Sequence, residues 1–339
     1  MMKNLLRELC LINGISGDEG AVREYIIGKV KDLCEYRIDN PGNLICFKKG
    51  KKTPAKKLMI AAHMDEVGFI VTSVRSDGTL TFGTVGGVDA SVVIGRQVRV
   101  GKKLLCGVVG STAVHNLSKE QREKAPQTED LYIDIGAKDA AEAEKYVKPG
   151  DCVYFDSEYV EFGDNRIKSK AIDDRAGCAI MIGLMQRELE YDAYFVFNVQ
   201  EEIGLRGSTV SAFSVQPDIA VVLEATTAAD IDGVSGAKRV CSLGGGPVVS
   251  FMDRSTVYDK ELYRLAFDIA EEENIPCQTK TMIAGGNDSG AIHISGKGVR
   301  TLAVSVPCRY LHSPSCVIDY RDFEDSYRLV KSLIKKVAD

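Results

Sequence analysis

The sequence is poor in the features that most directly announce a function. No stretch approaches the roughly 20 consecutive apolar residues of a membrane span. The apolar periodicity of residues 1–12 is broken by Arg7 and Glu8, so a secretory leader is not expected. With 43 basic and 48 acidic residues the formal charge is −5, and no Lys/Arg run is interleaved with aromatics. That excludes a base-stacking platform, and with it nucleic acid as the expected partner. The 10 cysteines are scattered without a CxxC pair. Their spacing favours reduced, buried thiols in a cytoplasmic protein over a disulfide framework or a zinc knuckle. Cys308 and Cys316 bracket His312, but a cysteine ligand usually arrives with a close second Cys or His, so these two are read as buried thiols near a loop. Neither internal repeats nor low-complexity segments are found.

What remains is an ordinary globular composition, 45% hydrophobic and 27% charged, in a chain of 339 residues. That length exceeds the size at which a single core usually stops growing, so two units are expected. Leu5, Leu6, Leu9 and Ile12 share one helical face, and Val22, Tyr25, Ile26, Val30 and Leu33 repeat the period after Ser16 and Gly17. Residues 57–62 read as a buried strand that ends at His63. From about Val67 to Gly163 the texture changes to short β-rich segments punctuated by glycines, with one helix expected at Ala140–Val147. That predicts a small β-barrel or sandwich. Beyond it, apolar strand-like segments at 193–199, 219–223 and 299–306 alternate with helical patterns at 176–189, 261–273 and 321–337. The alternation predicts an α/β fold with a mainly parallel sheet flanked by helices. The expected organisation is therefore a larger domain of residues 1–66 and 164–339 with residues 67–163 inserted into it.

Scarcity makes the histidines informative, because with only four of them each context can be weighed. His63 ends an apolar strand and is followed at Asp65 by a carboxylate on the same face, a good ligand next to a good orienter. His312 follows the strand 301–306, at the edge of a parallel sheet where ligands of α/β folds collect. Acidic residues occupy matching positions: Asp173 and Asp174 before a helix, Glu201 and Glu202 after one strand, Glu224 after another. A single such carboxylate would be read as solvated charge, but their coincidence at strand ends points to a metal centre. Two divalent ions in such a centre lower the pKa of a water and polarise a carbonyl. If strand geometry continued through Glu201 and Glu202, the pair would face opposite ways, which favours one ligand and one base. His115 reads as a structural or subunit-contact residue and His293 as a packed helix residue.

These residues lie in segments that resemble the M42 metalloaminopeptidases, the family of glutamyl aminopeptidase and the tetrahedral TET enzymes. The segments are Ala62-His63-Met64-Asp65-Glu66-Val67-Gly68, Ala171-Ile172-Asp173-Asp174-Arg175, Gln200-Glu201-Glu202-Ile203-Gly204, Ala284-Gly285-Gly286-Asn287-Asp288 and Arg309-Tyr310-Leu311-His312-Ser313-Pro314. Leu131-Tyr132-Ile133-Asp134-Ile135-Gly136-Ala137 and Gly245-Gly246-Pro247-Val248-Val249 are also similar. Each motif is weak alone, but the ordered set spans nearly the whole chain.

The resemblance implies the fold of the co-catalytic zinc exopeptidases and hydrolysis of N-terminal residues from short peptides by two divalent ions, zinc or cobalt. It implies that Asp173 bridges the ions, that His63 and Glu224 complete one site, and that Glu202 and His312 complete the other. Glu201 would be the general base, Asp65 would fix His63, and the Asp173–Asp174 peptide bond would be cis. One departure is Glu224, where many members carry Asp; the extra methylene keeps an oxygen donor. The Gly285–Asp288 turn would wall the substrate pocket, and the insertion would pair subunits that build a tetrahedral dodecamer. The alternatives are another binuclear amidase or deacylase, a metal-independent glucanase relying on two carboxylates, and a non-catalytic scaffold.

Overall fold

The computed structural model describes residues 2–338; Met1 and Asp339, the outer ends of the expected catalytic domain, lie outside the described residues. The apolar run before the first candidate ligand forms the strand Leu58–His63, buried at every position. Its alternate residues serve two cores: Leu58, Ile60 and Ala62 face one cluster, Met59 and Ala61 the other. A strand so covered belongs inside a sheet, and this one lies in the interior of an eight-stranded sheet. Its parallel neighbours are Ala193–Asn198 and Ile219–Thr227, and Arg300–Cys308 continues the parallel set beyond the latter. Leu44–Lys48 and Glu35–Ile38 extend one side antiparallel, and Val248–Val249 runs antiparallel to Arg300–Cys308 on the other. Gln278–Thr279 forms that edge, parallel to Val248–Val249, so the sheet is parallel where it carries the chemistry and mixed towards its edges.

Helices cover both faces. Ile172–Met185, buried along its whole length, packs on one face with Met2–Leu11, Gly20–Val30, Lys260–Glu272 and Tyr320–Val337. The last of these shows why the segment is helical. Phe323, Ser326, Leu329, Val330, Leu333, Ile334 and Val337 recur at three- and four-residue steps on its buried side, and Asp319 caps its start by accepting from Arg321 N at 2.8 Å. Arg206–Val215 and the short Ser289–Ile292 cover the opposite face. Among the described residues no helix is long and apolar enough to cross a membrane.

Between His63 and Ile172 the chain leaves the sheet to form a closed six-stranded barrel. Its strands are ordered Gly68–Val74, Leu80–Val85, Leu131–Asp134, Leu105–Ser111, Gln97–Val100 and Cys152–Phe155. Closure removes the exposed sheet edges. The barrel has its own core, in which Phe69 packs edge-on to Phe155 at 5.3 Å and tilted to Phe82 at 4.7 Å between ring centroids. The strand Val160–Phe162 pairs not with the barrel but with Arg166–Ser169, which in turn pairs with Cys316–Asp319. The helix expected at Ala140–Val147 is a single turn, Ala140–Ala143. Within 140–147 only Ala143 and Val147 are buried, too narrow an apolar face to hold a longer helix.

The barrel meets the larger unit at Gly68. A Cβ there would lie 2.4 Å from Ile15 Cγ2 and 2.8 Å from the Val153 carbonyl, so only glycine lets the segment around Ile15 pass this close.

Candidate metal centre

The C-terminal ends of the four parallel strands converge on one place, as expected for an α/β sheet. His63 is the last residue of its strand and fully buried. Glu224 departs from the sequence expectation: its strand does not end at Leu223 but runs on to Thr227, so Glu224 is inside the strand rather than beyond it. Glu201 and Glu202 also leave strand geometry. The strand before them stops at Asn198, and Gln200 takes a left-handed conformation with φ +56°, which turns the chain. The opposite-face argument for the pair therefore does not apply. His312 lies in the turn between the strands Arg300–Cys308 and Cys316–Asp319. Asp173 and Asp174 stand in the first turn of helix Ile172–Met185 with non-helical backbone angles, and the peptide bond between them is cis.

Asp173 lies between the two imidazoles. Its Oδ1 is 3.2 Å from His63 Nε2 and its Oδ2 is 3.4 Å from His312 Nε2. Glu202 Oε1 is 3.4 Å from His312 Nε2, and Glu224 Oε2 is 3.7 Å from His63 Nε2. Two groups of donor atoms fall within 4.8 Å of one another: His63, Asp173 and Glu202, and His63, Asp174 and Glu224. Glu201 and His312 belong to neither, although His312 Nε2 lies 3.4 Å from both Asp173 and Glu202.

The far nitrogens of both imidazoles are held. His63 Nδ1 is 3.1 Å from the Asp65 carbonyl and 3.3 Å from its carboxylate, and His312 Nδ1 is 2.9 Å from the carbonyl of Gly87. The preceding Gly86 has φ +83°, and a Cβ there would lie 3.2 Å from Glu202 Cβ, so the barrel loop approaches the centre only as glycine.

The protein's own charges are arranged for a cation. Burial alone would lower the His63 imidazole, but its hydrogen bonds to Asp173 and Asp65 and the nearby Glu224 hold it well above its usual value. Burial likewise opposes charge on His312, yet Asp173 and Glu202 raise it to about 10. Asp173 is buried, but hydrogen bonds from His312 and His63 keep it below the ordinary carboxylate range. Burial, then Asp173, pushes Glu202 up to about 7; burial also raises Glu224 and Glu201, with Asp288 and Glu202 adding to the effect on Glu201. Among the described residues, histidines are the only basic side chains within ion-pair distance of Asp173, Glu202 and Glu224. Glu224 Oε1 and Asp174 Oδ2 are buried without a hydrogen-bond partner. Orphaned buried oxygens beside imidazoles are a donor set that fits divalent cations such as zinc, cobalt or manganese.

The remaining candidates fall elsewhere. His115 is exposed in the short turn Val114–Asn116 of the barrel segment, and His293 Nδ1 is 2.8 Å from the Ser289 carbonyl behind its helix. Cys308 and Cys316 are buried and belong to neither donor group. The turn at 285–288 does reach the centre's vicinity: the buried Asp288 accepts from Asn198 at 2.7 Å and its charge acts on Glu201. Sequence reasoning missed two contributors. Asp174 stands with Asp173 among the acidic residues that point to a metal centre, but the ligand assignment left it out. The Gly87 carbonyl had no sequence signal at all, since any residue offers a carbonyl.

The family profile described as M42 glutamyl aminopeptidase matches residues 42–329. The lysyl aminopeptidase of Pyrococcus furiosus is 32% identical, over 98% of this chain and 96% of its own. The solved TET1 peptidase of Pyrococcus horikoshii, described as able to assemble into a tetrahedron or a large octahedral shell, is 34% identical with a TM-score of 0.86, covering 98% of this chain and 99% of its own. A Thermotoga maritima structure described as an endoglucanase is 38% identical with a TM-score of 0.80, at 98% and 99% coverage. A profile match over most of the chain, with relatives of this identity along its whole length, places the chain in the M42 glutamyl aminopeptidase family.

Proposed function

We propose that this aminopeptidase removes N-terminal residues from peptides with two divalent ions, zinc or cobalt, held by its own histidines and carboxylates. The observation that carries the reading is Asp173, whose two oxygens face His63 and His312 separately. In this assignment Asp173 would serve both ions, His63 and Glu224 would hold one, and Glu202 and His312 would hold the other. When bound, such a pair lowers the pKa of a water and polarises the scissile carbonyl.

The remaining steps belong to the chain's own groups. Glu201 accepts the water's proton at its carboxylate and later returns it to the leaving amine. Among the described residues Asp173, Glu202 and Glu224 each lie within ion-pair distance of an imidazole and Glu201 does not, which supports base rather than ligand for Glu201. Asp65 fixes the His63 ring, since its carboxylate and carbonyl both lie at Nδ1. The turn at 285–288 walls the substrate side, consistent with its proximity to Glu201.

A panel of chromogenic aminoacyl substrates with acidic, neutral and basic side chains, alongside acylated amino acids and a β-glucan, tests the reading. Hydrolysis of at least one free-amine substrate is the expected result. Exclusive cleavage of acylated amino acids would make the chain a deacylase, and release of sugar alone would favour the glucanase reading that the Thermotoga relative's name raises. Inertness towards the whole panel would leave a scaffold.

The segment 67–163, inserted between the 1–66 and 164–339 parts of the catalytic domain, is assigned to subunit pairing within a tetrahedral dodecamer in the cytoplasm. Enclosure would admit short or unfolded peptides and exclude folded proteins. Light scattering should return a dodecamer mass built from the 36.9 kDa chain. A monomer at micromolar concentration would count against the assembly.

A further inference from the structure

The turn that carries Glu201 and Glu202 is held through its backbone. Three consecutive amides face two carboxylates: Gln200 N donates to Glu19 Oε1, Glu201 N to Asp65 Oδ1 and Glu202 N to Asp65 Oδ2, each at 3.1 Å. Successive amides turned to one side in this way form a concavity for negative charge. Asp65 has an evident second task at His63. Glu19 has none that its local position explains. It precedes helix Gly20–Val30 at the N-cap position, yet its side chain does not cap that helix. It is 4% exposed, and among the described residues no Lys or Arg comes within ion-pair distance of it. Its Oε1 accepts from Gly17 N at 2.8 Å and reaches across to Gln200, 181 residues away in sequence.

The rest of its segment is tied to the same place. Ser16 Oγ donates to Asp65 Oδ2 at 2.6 Å, and Asp18 accepts from the hydroxyl of Tyr154 on the last barrel strand. Residues 16–19 therefore bind the barrel, Asp65 and the Gln200 amide together. Gln200 is left-handed without being glycine, a conformation that persists where its surroundings over-determine it. The bond to Glu19 is one of those determinants, and the two residues that follow Gln200 are the base and a ligand of the two-metal reading.

On that reading, we infer that Glu19 is a positioning residue for hydrolysis, setting through the Gln200 amide where Glu201 and Glu202 present their carboxylates. The test compares Glu19→Met, which fills the space but accepts no hydrogen bond, with Glu19→Gln, whose amide oxygen can accept both. Two quantities are measured: kcat and KM on an aminoacyl substrate, and a Co²⁺ titration followed by visible absorption, which reports ligand geometry without turnover. Glu19→Met should lower kcat roughly 10- to 100-fold, the scale of an ångström-sized misplacement. Its KM should stay within about twofold, and its cobalt spectrum should change. Glu19→Gln should retain wild-type kcat, KM and spectrum.

A Glu19→Met protein with wild-type kcat and spectrum overturns the inference, and so does a Glu19→Gln protein as impaired as Glu19→Met, since charge rather than position would then matter. Should thermal unfolding show Glu19→Met to be unfolded, Glu19→Asp replaces it, keeping the charge but shortening the reach. A selective fall in kcat supports the inference there, and wild-type kcat overturns it. Active wild-type protein with an indifferent Glu19 removes this inference alone, whereas cobalt-loaded wild-type protein that hydrolyses no aminoacyl substrate removes the two-metal reading with it.

Discussion

Glu201→Gln should lower turnover by about 10²- to 10⁴-fold, the usual cost of losing general acid-base help, while both ions stay bound. The substitution is nearly isosteric, and Gln can still hydrogen-bond a water but cannot accept its proton. Nothing in the donor groups depends on Glu201: His63, Asp173 and Glu202 form one and His63, Asp174 and Glu224 the other. The turn itself should also survive, because Asp65 holds it through the amides of residues 201 and 202, which the substitution leaves in place. Burial and the charges of Asp288 and Glu202 raise the proton affinity of the Glu201 carboxyl, the direction that a proton acceptor at this step requires. Elemental analysis beside steady-state kinetics checks both halves. A Glu201→Gln protein that loses an ion reverses the roles assigned to the adjacent pair, and one that stays fully active places the base elsewhere.

The gathering of the candidate ligands was legible because it follows from sheet topology. A buried run such as Leu58–His63 reads as an interior strand, and once several strands run parallel their C-terminal ends must share one edge. His63, Glu202 and His312 sit at or just beyond such ends. Glu224 was misplaced because the apolar run 219–223 continues as Ala225–Thr226–Thr227, which a sequence reading treats as a break but the pairing with Arg300–Cys308 keeps extended.

The barrel's strands were visible from glycine punctuation and alternation, but their closed order was not. The pairing of Leu80–Val85 with Leu131–Asp134 joins strands separated in sequence by two others and depends on long-range register. Least legible were the groups that orient the centre. Gly87 contributes a carbonyl from 225 residues before His312, and Glu19 meets an amide 181 residues on. A backbone group carries no mark of residue type, so no motif can announce it.

Dialysis against a chelator should abolish peptide hydrolysis, by about 10³-fold or more, because the ions supply several kcal/mol of transition-state stabilisation that no residue here can replace. Restoring zinc or cobalt should recover it. The carboxylates that favour the imidazolium forms of His63 and His312 make uptake a competition with protons, so reloading should weaken as pH falls. Sugar release that persists undiminished through chelation would instead belong to a glycosidase working with two carboxylates.

Glu202→Gln separates the two ions within the same experiment. Its carboxylate lies 3.4 Å from His312, whereas Glu224 lies 3.7 Å from His63, so on the two-metal reading its neutralisation should weaken the site with His312 more than the other. Because removing a mere outer-shell partner already costs about 10- to 100-fold in metal affinity, loss of a direct ligand should exceed that. One ion should then dialyse away, and part of the activity should return with excess metal, a rescue that Glu201→Gln cannot show because its defect is a missing proton acceptor. Retention of two ions by Glu202→Gln would remove Glu202 from the ligand set and leave His312 and Asp173 to hold the second ion without it.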